Sequence, residues 1–150
     1  LSPEQLFPVC SPKLLAGRNR LTKPADVLKF PLIHVDDRKD WARWLEVAGV
    51  TGTELSHGPV LNRVSMAIDA AVDGQGIVLA RTTLAAPDLI SGRLLRPFAG
   101  ELRLSKTYWI VCPKATAALP KIVTFRDWLL AEAASDVRQL KKQNVSRAKS

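Results

Sequence analysis

Three junctions along the chain gather side chains suited to holding a small polar molecule. His34, Asp36, Asp37 and Trp41 lie within or just after the apolar run Leu32–Val35. Asn62, Arg63, Ser65 and Met66 open a stretch with helical spacing, and Arg81, Thr82 and Thr83 follow the run Ile77–Ala80. In open α/β sheets, ligands sit outside the carboxyl ends of strands, where helix N-termini present free N–H groups. Carboxylates, hydroxyls and guanidinium groups at such points recognise by charge and hydrogen bonding. Tyr108, on a later apolar run, faces either this site or the core.

Each of these residues has a structural reading beside the binding one. Asp36 and Asp37 suit the cap of the next helix, as Asn62 does, and Ser65 suits a first turn. Trp41 suits helix packing, with one partner for its indole N–H. Arg81 has Asp73 and Asp88 as candidate ion-pair partners, and His34 fits a satisfied core histidine.

Bond-breaking chemistry is poorly supported. Cys10 or Ser65 would have to act with His34 or His57, and neither nucleophile sits in a recognisable nucleophile turn. The Gly74-Gln75-Gly76 segment lies after a helix and before a strand, the reverse of a dinucleotide-binding loop. Two cysteines, Cys10 and Cys112, make no disulfide framework and lack metal-ligand spacing. The expectation is a non-enzyme without cofactor or metal, its cysteines buried as free thiols.

The elements that position these residues alternate. "QLFPVCSP" reads as a short strand closed by Pro12, and a helical turn follows Pro24. "PLIHVDD" is a strand, and "RKDWARWLEVAG" a helix with Trp41, Trp44, Leu45 and Ala48 at helical spacing. "ELSHGPVL" reads as a strand and "NRVSMAIDAAVDG" as a helix capped by Asn62. Its small Ala67, Ala70 and Ala71 allow close approach to a sheet. "IVLA" is a strand buried on both faces, "TTLAAPDLISG" a short helix and "RLLRPF" an extended segment. "LSKTYWIVCP" is a further strand, and "LPKIVTFRDWLLAEAA" a helix with Ile122, Phe125, Trp128 and Leu129 on one face. Strand–helix alternation of this kind predicts an α/β fold.

The 150 residues suffice for one domain or two small lobes, and 47% hydrophobic with 24% charged residues is ordinary globular composition. No apolar run approaches the ~20 residues that span a bilayer. The net charge is +8, of which +4 falls in the last fifteen residues, from Asp136 onward, read as a basic, disordered tail over 136–150. The rest is too dispersed to predict sequence-specific DNA reading. The start, "LSPEQLFPVCSP", shows no signal peptide, and its first residue is Leu1; the expectation is a cytoplasmic piece of a longer chain.

An ordered series of segments is more specific than any of these features. "LFPVCSP", "LIHVDDRKDWARWLEVAG", "AIDAAVDGQGIVLARTTLAAPDLISGRLLRPF", "YWIVCP" and "FRDWLLAE" follow one another from Leu6 to Glu132. In this order they resemble the effector-binding domain of LysR-type transcriptional regulators, on the branch of the glycine-cleavage activators and the AmpR-like regulators. The resemblance implies a periplasmic-binding-protein type 2-like fold, a Rossmann-like mixed sheet with helices on both faces, in two lobes. Residues 1–12 would be a hinge strand from the first lobe, 13–106 the second lobe, and 107–135 a return strand and helix of the first. It further implies a small-molecule effector between the lobes, homodimers or tetramers, and promoter DNA contacted only through an N-terminal domain absent from this chain. A hinge strand and terminal helix without their lobe would expose apolar surface. The competing expectation is a transporter's solute-binding protein, which shares the architecture.

Overall fold

The computed structural model describes residues 3–16 and 20–147. Its elements are β1 (Pro3–Val9), β2 (Leu32–Val35), α1 (Lys39–Val47), β3 (Val60–Leu61), α2 (Val64–Val72), β4 (Ile77–Arg81), α3 (Thr82–Ile90), β5 (Leu102–Thr107) and α4 (Pro120–Arg147). Short 3₁₀ turns at Pro12–Leu15 and Pro24–Lys29 link β1 to β2. The second is the turn expected after Pro24.

The strands form one sheet in the order β3-β2-β4-β1-β5. β2 is parallel to both β3 and β4, and β1 runs antiparallel to β4. The chain steps outward from β2 to β3 through α1, then back over β2 to β4 through α2. Parallel crossovers are right-handed, so this reversal sets α1 and α2 on opposite faces. The sheet is thus mixed and doubly wound.

β4 is the middle strand, and Ile77, Val78, Leu79 and Ala80 are all buried. Its four consecutive apolar residues make sense only for a strand covered on both faces. α2 contacts β2, β3, β4 and α3. It comes close because Ala67 and Ala71 are the residues it buries beside Ile68. α1 instead buries Trp41, Trp44 and Leu45, with the two indoles edge to face at 5.8 Å. The turn from α2 into β4 depends on Gly76, where a Cβ would stand 2.4 Å from the Pro31 carbonyl oxygen. Pro31 O also accepts the Ile77 N–H at 2.9 Å, so the two chains cannot separate to make room.

The chain forms two compact units, Gln5–Arg103 in one and Leu1–Glu4 with Leu104–Ser150 in the other. The larger unit holds α1–α3, β2–β4 and the core. Within it, Cys10 and Leu95 exchange backbone hydrogen bonds, so "RLLRPF" is extended as expected. Arg96 lies over the Phe7 ring at 4.2 Å and pairs with Glu101 at 3.0 Å. In the smaller unit α4 leaves Phe125 and Trp128 more than half exposed, their rings 5.7 Å apart. Cys10 and Cys112 are not joined in a disulfide.

Four expectations need correction. "ELSHGPVL" is a strand only at Val60–Leu61, because Gly58 and Pro59 interrupt the extended run and its earlier carbonyls bond to Arg38. The cap of α2 is Arg63 rather than Asn62. The last strand is Leu102–Thr107, ending before "YWIVCP"; Trp109 and Val111 are 78% and 88% exposed. Those residues favour a strand by type, but a ladder needs a partner, and past Thr107 the described strands supply none. The final helix does not end at Ala134 but runs to Arg147, since "SDVRQLKKQNVSR" holds neither glycine nor proline to stop it. Residues 148–150 of the expected tail lie outside the described residues.

Candidate functional site

The parallel pairing of β3, β2 and β4 brings their carboxyl ends to one edge of the larger unit. Each strand hands over there to a helix: β2 to α1 through Asp36–Arg38, β3 to α2 through Asn62–Arg63, and β4 directly to α3 at Thr82. All the sequence-chosen residues except Tyr108 belong to these three handovers.

At the end of β2, Asp36 has a φ of 60°, the one positive value outside glycine among the described residues. Aspartate tolerates this left-handed conformation better than most side chains. It is held there because the Asp36 N–H donates to Leu61 O at 2.8 Å and the Asp37 N–H to Val35 O at 2.6 Å. Both carboxylates are exposed. Asp37 Oδ1 accepts the Lys39 N–H at 2.8 Å, and its other oxygen lies 3.6 Å from Lys39 Nζ. Asp37 therefore serves the first turn of α1, and Asp36 is the carboxylate left facing solvent. Trp41 is buried beneath them, its indole N–H donating to Ile33 O at 3.0 Å. It supports the rim from below.

At the end of β3, Asn62, Ser65 and Met66 are exposed around the first turn of α2. The cap residue of that turn, Arg63, offers it no side-chain hydrogen bond. The cap residue of α3, Arg81, likewise offers no side-chain hydrogen bond to its helix. Arg63 and Arg81 make no ion pair among the described residues; Asp88, one partner considered for Arg81, pairs with Arg93 at 2.6 Å. Thr82 Oγ1 sits 3.3 Å from Gln5 N and 3.4 Å from Gln5 O, so its hydroxyl ties α3 to β1. Tyr108 lies in the smaller unit and is exposed.

The Arg38 clamp escaped the sequence reading, whereas His34 is the core histidine it allowed for, with one nitrogen bonded. Arg38, the cap residue of α1, donates to the carbonyls of Leu55, His57 and Gly58 at 3.1, 2.8 and 3.0 Å. It clamps the loop before β3 to the end of β2. His34 is buried and its Nε2–H donates to the same His57 carbonyl at 3.0 Å, which leaves Nδ1 buried without a partner. Burial depresses the His34 pKa, the His57 bond works against that, and the Arg38 charge adds to the depression. The only sequence signal was a histidine inside an apolar strand four residues before an arginine.

The site holds no arrangement of nucleophile, base and orienting group. Among the described residues no cluster of histidine, cysteine and carboxylate could hold a metal ion. At this edge α2 and α3 begin at Arg63 and Arg81, neither of which makes an ion pair among the described residues, and the Asp36 carboxylate is exposed on the same edge.

Comparison with known proteins identifies the family. The family model described as the LysR substrate binding domain matches residues 1–134, and the chain belongs to that family. It is 38% identical over 136 residues to the glycine cleavage system transcriptional activator of Escherichia coli K12, covering 91% of this chain and 45% of that protein. It is 32% identical to the transcriptional activator AmpR of Citrobacter freundii, covering 83% of this chain and 42% of that one. The chain thus spans a little under half the length of the curated relatives it matches. Among solved structures, the effector domain of AmpR from Pseudomonas aeruginosa is similar at 30% identity and a TM-score of 0.66, covering 92% of this chain and 65% of that one. The AmpR effector binding domain from Citrobacter freundii gives a TM-score of 0.67 at 29% identity, covering 87% and 64%. These matches fit the expected periplasmic-binding-protein type 2-like architecture and lend the transporter reading no support. The relatives named are regulators, not enzymes, and no described helix is long and apolar enough to cross a membrane.

Proposed function

We propose that this chain is the effector-sensing part of a cytoplasmic LysR-type transcriptional regulator, without catalytic activity of its own. A small metabolite with an anionic group binds at the carboxyl edge of β3, β2 and β4. Its anion meets the Arg63 and Arg81 guanidiniums at the N-terminal ends of α2 and α3. Asn62, Ser65 and Met66 surround it, and Asp36 and Asp37 supply charge of the opposite sign. The observation that carries this reading is that α2 and α3 both start at this edge on an arginine that makes no ion pair among the described residues. The ligand shifts the regulator between conformations by its differential affinity for them. In the full-length homodimer or tetramer that shift alters how a DNA-binding segment outside this chain engages promoter DNA.

The test is a thermal-shift panel of amino acids and short carboxylates, followed by calorimetry on any hit with Arg81→Ala and Thr82→Ala. A charge-assisted hydrogen bond is worth about 1.5–3 kcal/mol, so Arg81→Ala is expected to weaken a genuine effector by roughly ten- to a hundredfold. A confirmed ligand indifferent to both changes would place the site elsewhere. Upstream codons should encode a basic helix-turn-helix; a leader peptide there would restore the transporter reading.

A further inference from the structure

The opposite end of β2 carries a cavity of about 510 Å³, within the size range of small-molecule sites. Leu28, Phe30 and Leu32 form one wall, and the loop before β3 forms the other through Glu54, Leu55 and His57. Phe30 and Leu32 are buried, so the floor is apolar, while Glu54 and His57 are exposed at the mouth. Glu54 is the carboxylate of that lining and makes no ion pair among the described residues, although the chain as a whole carries +8. An apolar floor with a single unneutralised carboxylate at its mouth selects an apolar body carrying an ammonium group.

The outer wall is not a loose loop. Gly58, with φ at 99°, lies so close to β2 that a Cβ there would stand 2.1 Å from Leu32 O. The Arg38 guanidinium holds the carbonyls of Leu55, His57 and Gly58, and Arg38 directly follows Asp36–Asp37 at the other end of the strand. Any adjustment of Leu55 to an occupant must therefore be met at Arg38.

We propose that this cavity is a second ligand site, for a small primary amine with an apolar body, and that its occupancy is felt at Asp36–Asp37 through Arg38. It shares no residue with the anion-binding edge and stands whether or not that edge binds an effector.

Phenethylamine is a suitable probe, with 3-phenylpropionate as the equal-sized anion, each titrated into the ¹⁵N-labelled chain and followed by amide shifts. The amine is expected to give saturable shifts at 28–32 and 53–58, with a smaller relayed shift at Asp36 and Asp37. Glu54→Gln should weaken it by about two- to fivefold, the worth of one exposed ion pair, and Leu28→Lys, at a partly exposed position, should abolish it. Arg38→Gln should leave the local shifts and remove the relayed ones. Absence of saturable shifts in the cavity, or equal binding of the anion, overturns the site. Relayed shifts that survive Arg38→Gln overturn the coupling.

Discussion

The Nε2 of His34 lies 3.0 Å from the carbonyl oxygen of His57, and that bond defines which ring nitrogen carries the proton. A second proton would have to sit on Nδ1, which is buried and has no acceptor, while a guanidinium already shares the same carbonyl. The folded chain therefore resists protonating His34, whose pKa is lowered from the ordinary 6.5 chiefly by burial. Between the depressed value and 6.5 the unfolded chain binds more protons than the folded one. His34 thus contributes stability that is complete above pH 6.5 and is lost as pH falls through the folded value. Urea melts at stepped pH should show the midpoint falling below pH 6.5, with the slope reduced in His34→Gln. An unchanged slope in that variant would assign the acid sensitivity to other groups.

Gly58 and Gly49 both have positive φ, at 99° and 78°, yet they predict different costs. Around Gly49 a Cβ meets nothing within 4 Å, so Gly49→Ala should cost about 1–2 kcal/mol from backbone strain alone. At Gly58 the new Cβ would also collide with the Leu32 backbone, and Gly58→Ala should cost more, about 3 kcal/mol or above. Chemical denaturation of the two variants side by side checks this; equal midpoints would mean that the loop can swing clear of β2.

Trp41 and Trp44 should likewise part company. Trp41→Phe removes a hydrogen bond made to Ile33 O in a buried layer, at a cost of about 1–1.5 kcal/mol. Trp44 donates to Gly100 O at 3.3 Å, and Gly100 is exposed, so water can replace that bond. Trp44→Phe is expected to be milder by about 1 kcal/mol. Unfolding followed in urea distinguishes them.

What the sequence discloses here depends on whether a feature is local. The burial of Ile77–Ala80 and the close-packing alanines of α2 follow from residue type and spacing, and both are observed. The helix starts that line the carboxyl edge were legible for the same reason. Pairing was not. "YWIVCP" has the composition of a strand, but a strand forms only where an edge accepts it, and sequence composition does not say where edges lie. The Arg38 clamp was invisible because it is built from carbonyl groups, which every residue carries and no pattern marks. Trp41 takes the packing role its helical spacing allows: it is buried and its indole turns inward to Ile33 rather than toward the edge.

The final prediction concerns how closely α2 lies on the sheet. Ala71 is fully buried and α2 contacts β2 and β4, whereas the neighbouring Ala70 is only half-buried. Ala71→Leu inserts three carbon atoms where there is no space, and overpacking of this kind costs about 1–3 kcal/mol. Ala70→Leu adds the same atoms beside solvent and should change stability by less than about 0.5 kcal/mol. Because α2 begins at the carboxyl edge, lifting the helix also displaces its first turn, Val64–Met66, at that edge. Ala71→Leu should therefore shift the amide resonances of 63–66 as well as lower the urea midpoint, while Ala70→Leu does neither. If Ala71→Leu is tolerated as well as Ala70→Leu, the helix is not seated on the sheet as closely as its alanines indicate, and the geometry of the carboxyl edge is not fixed by α2.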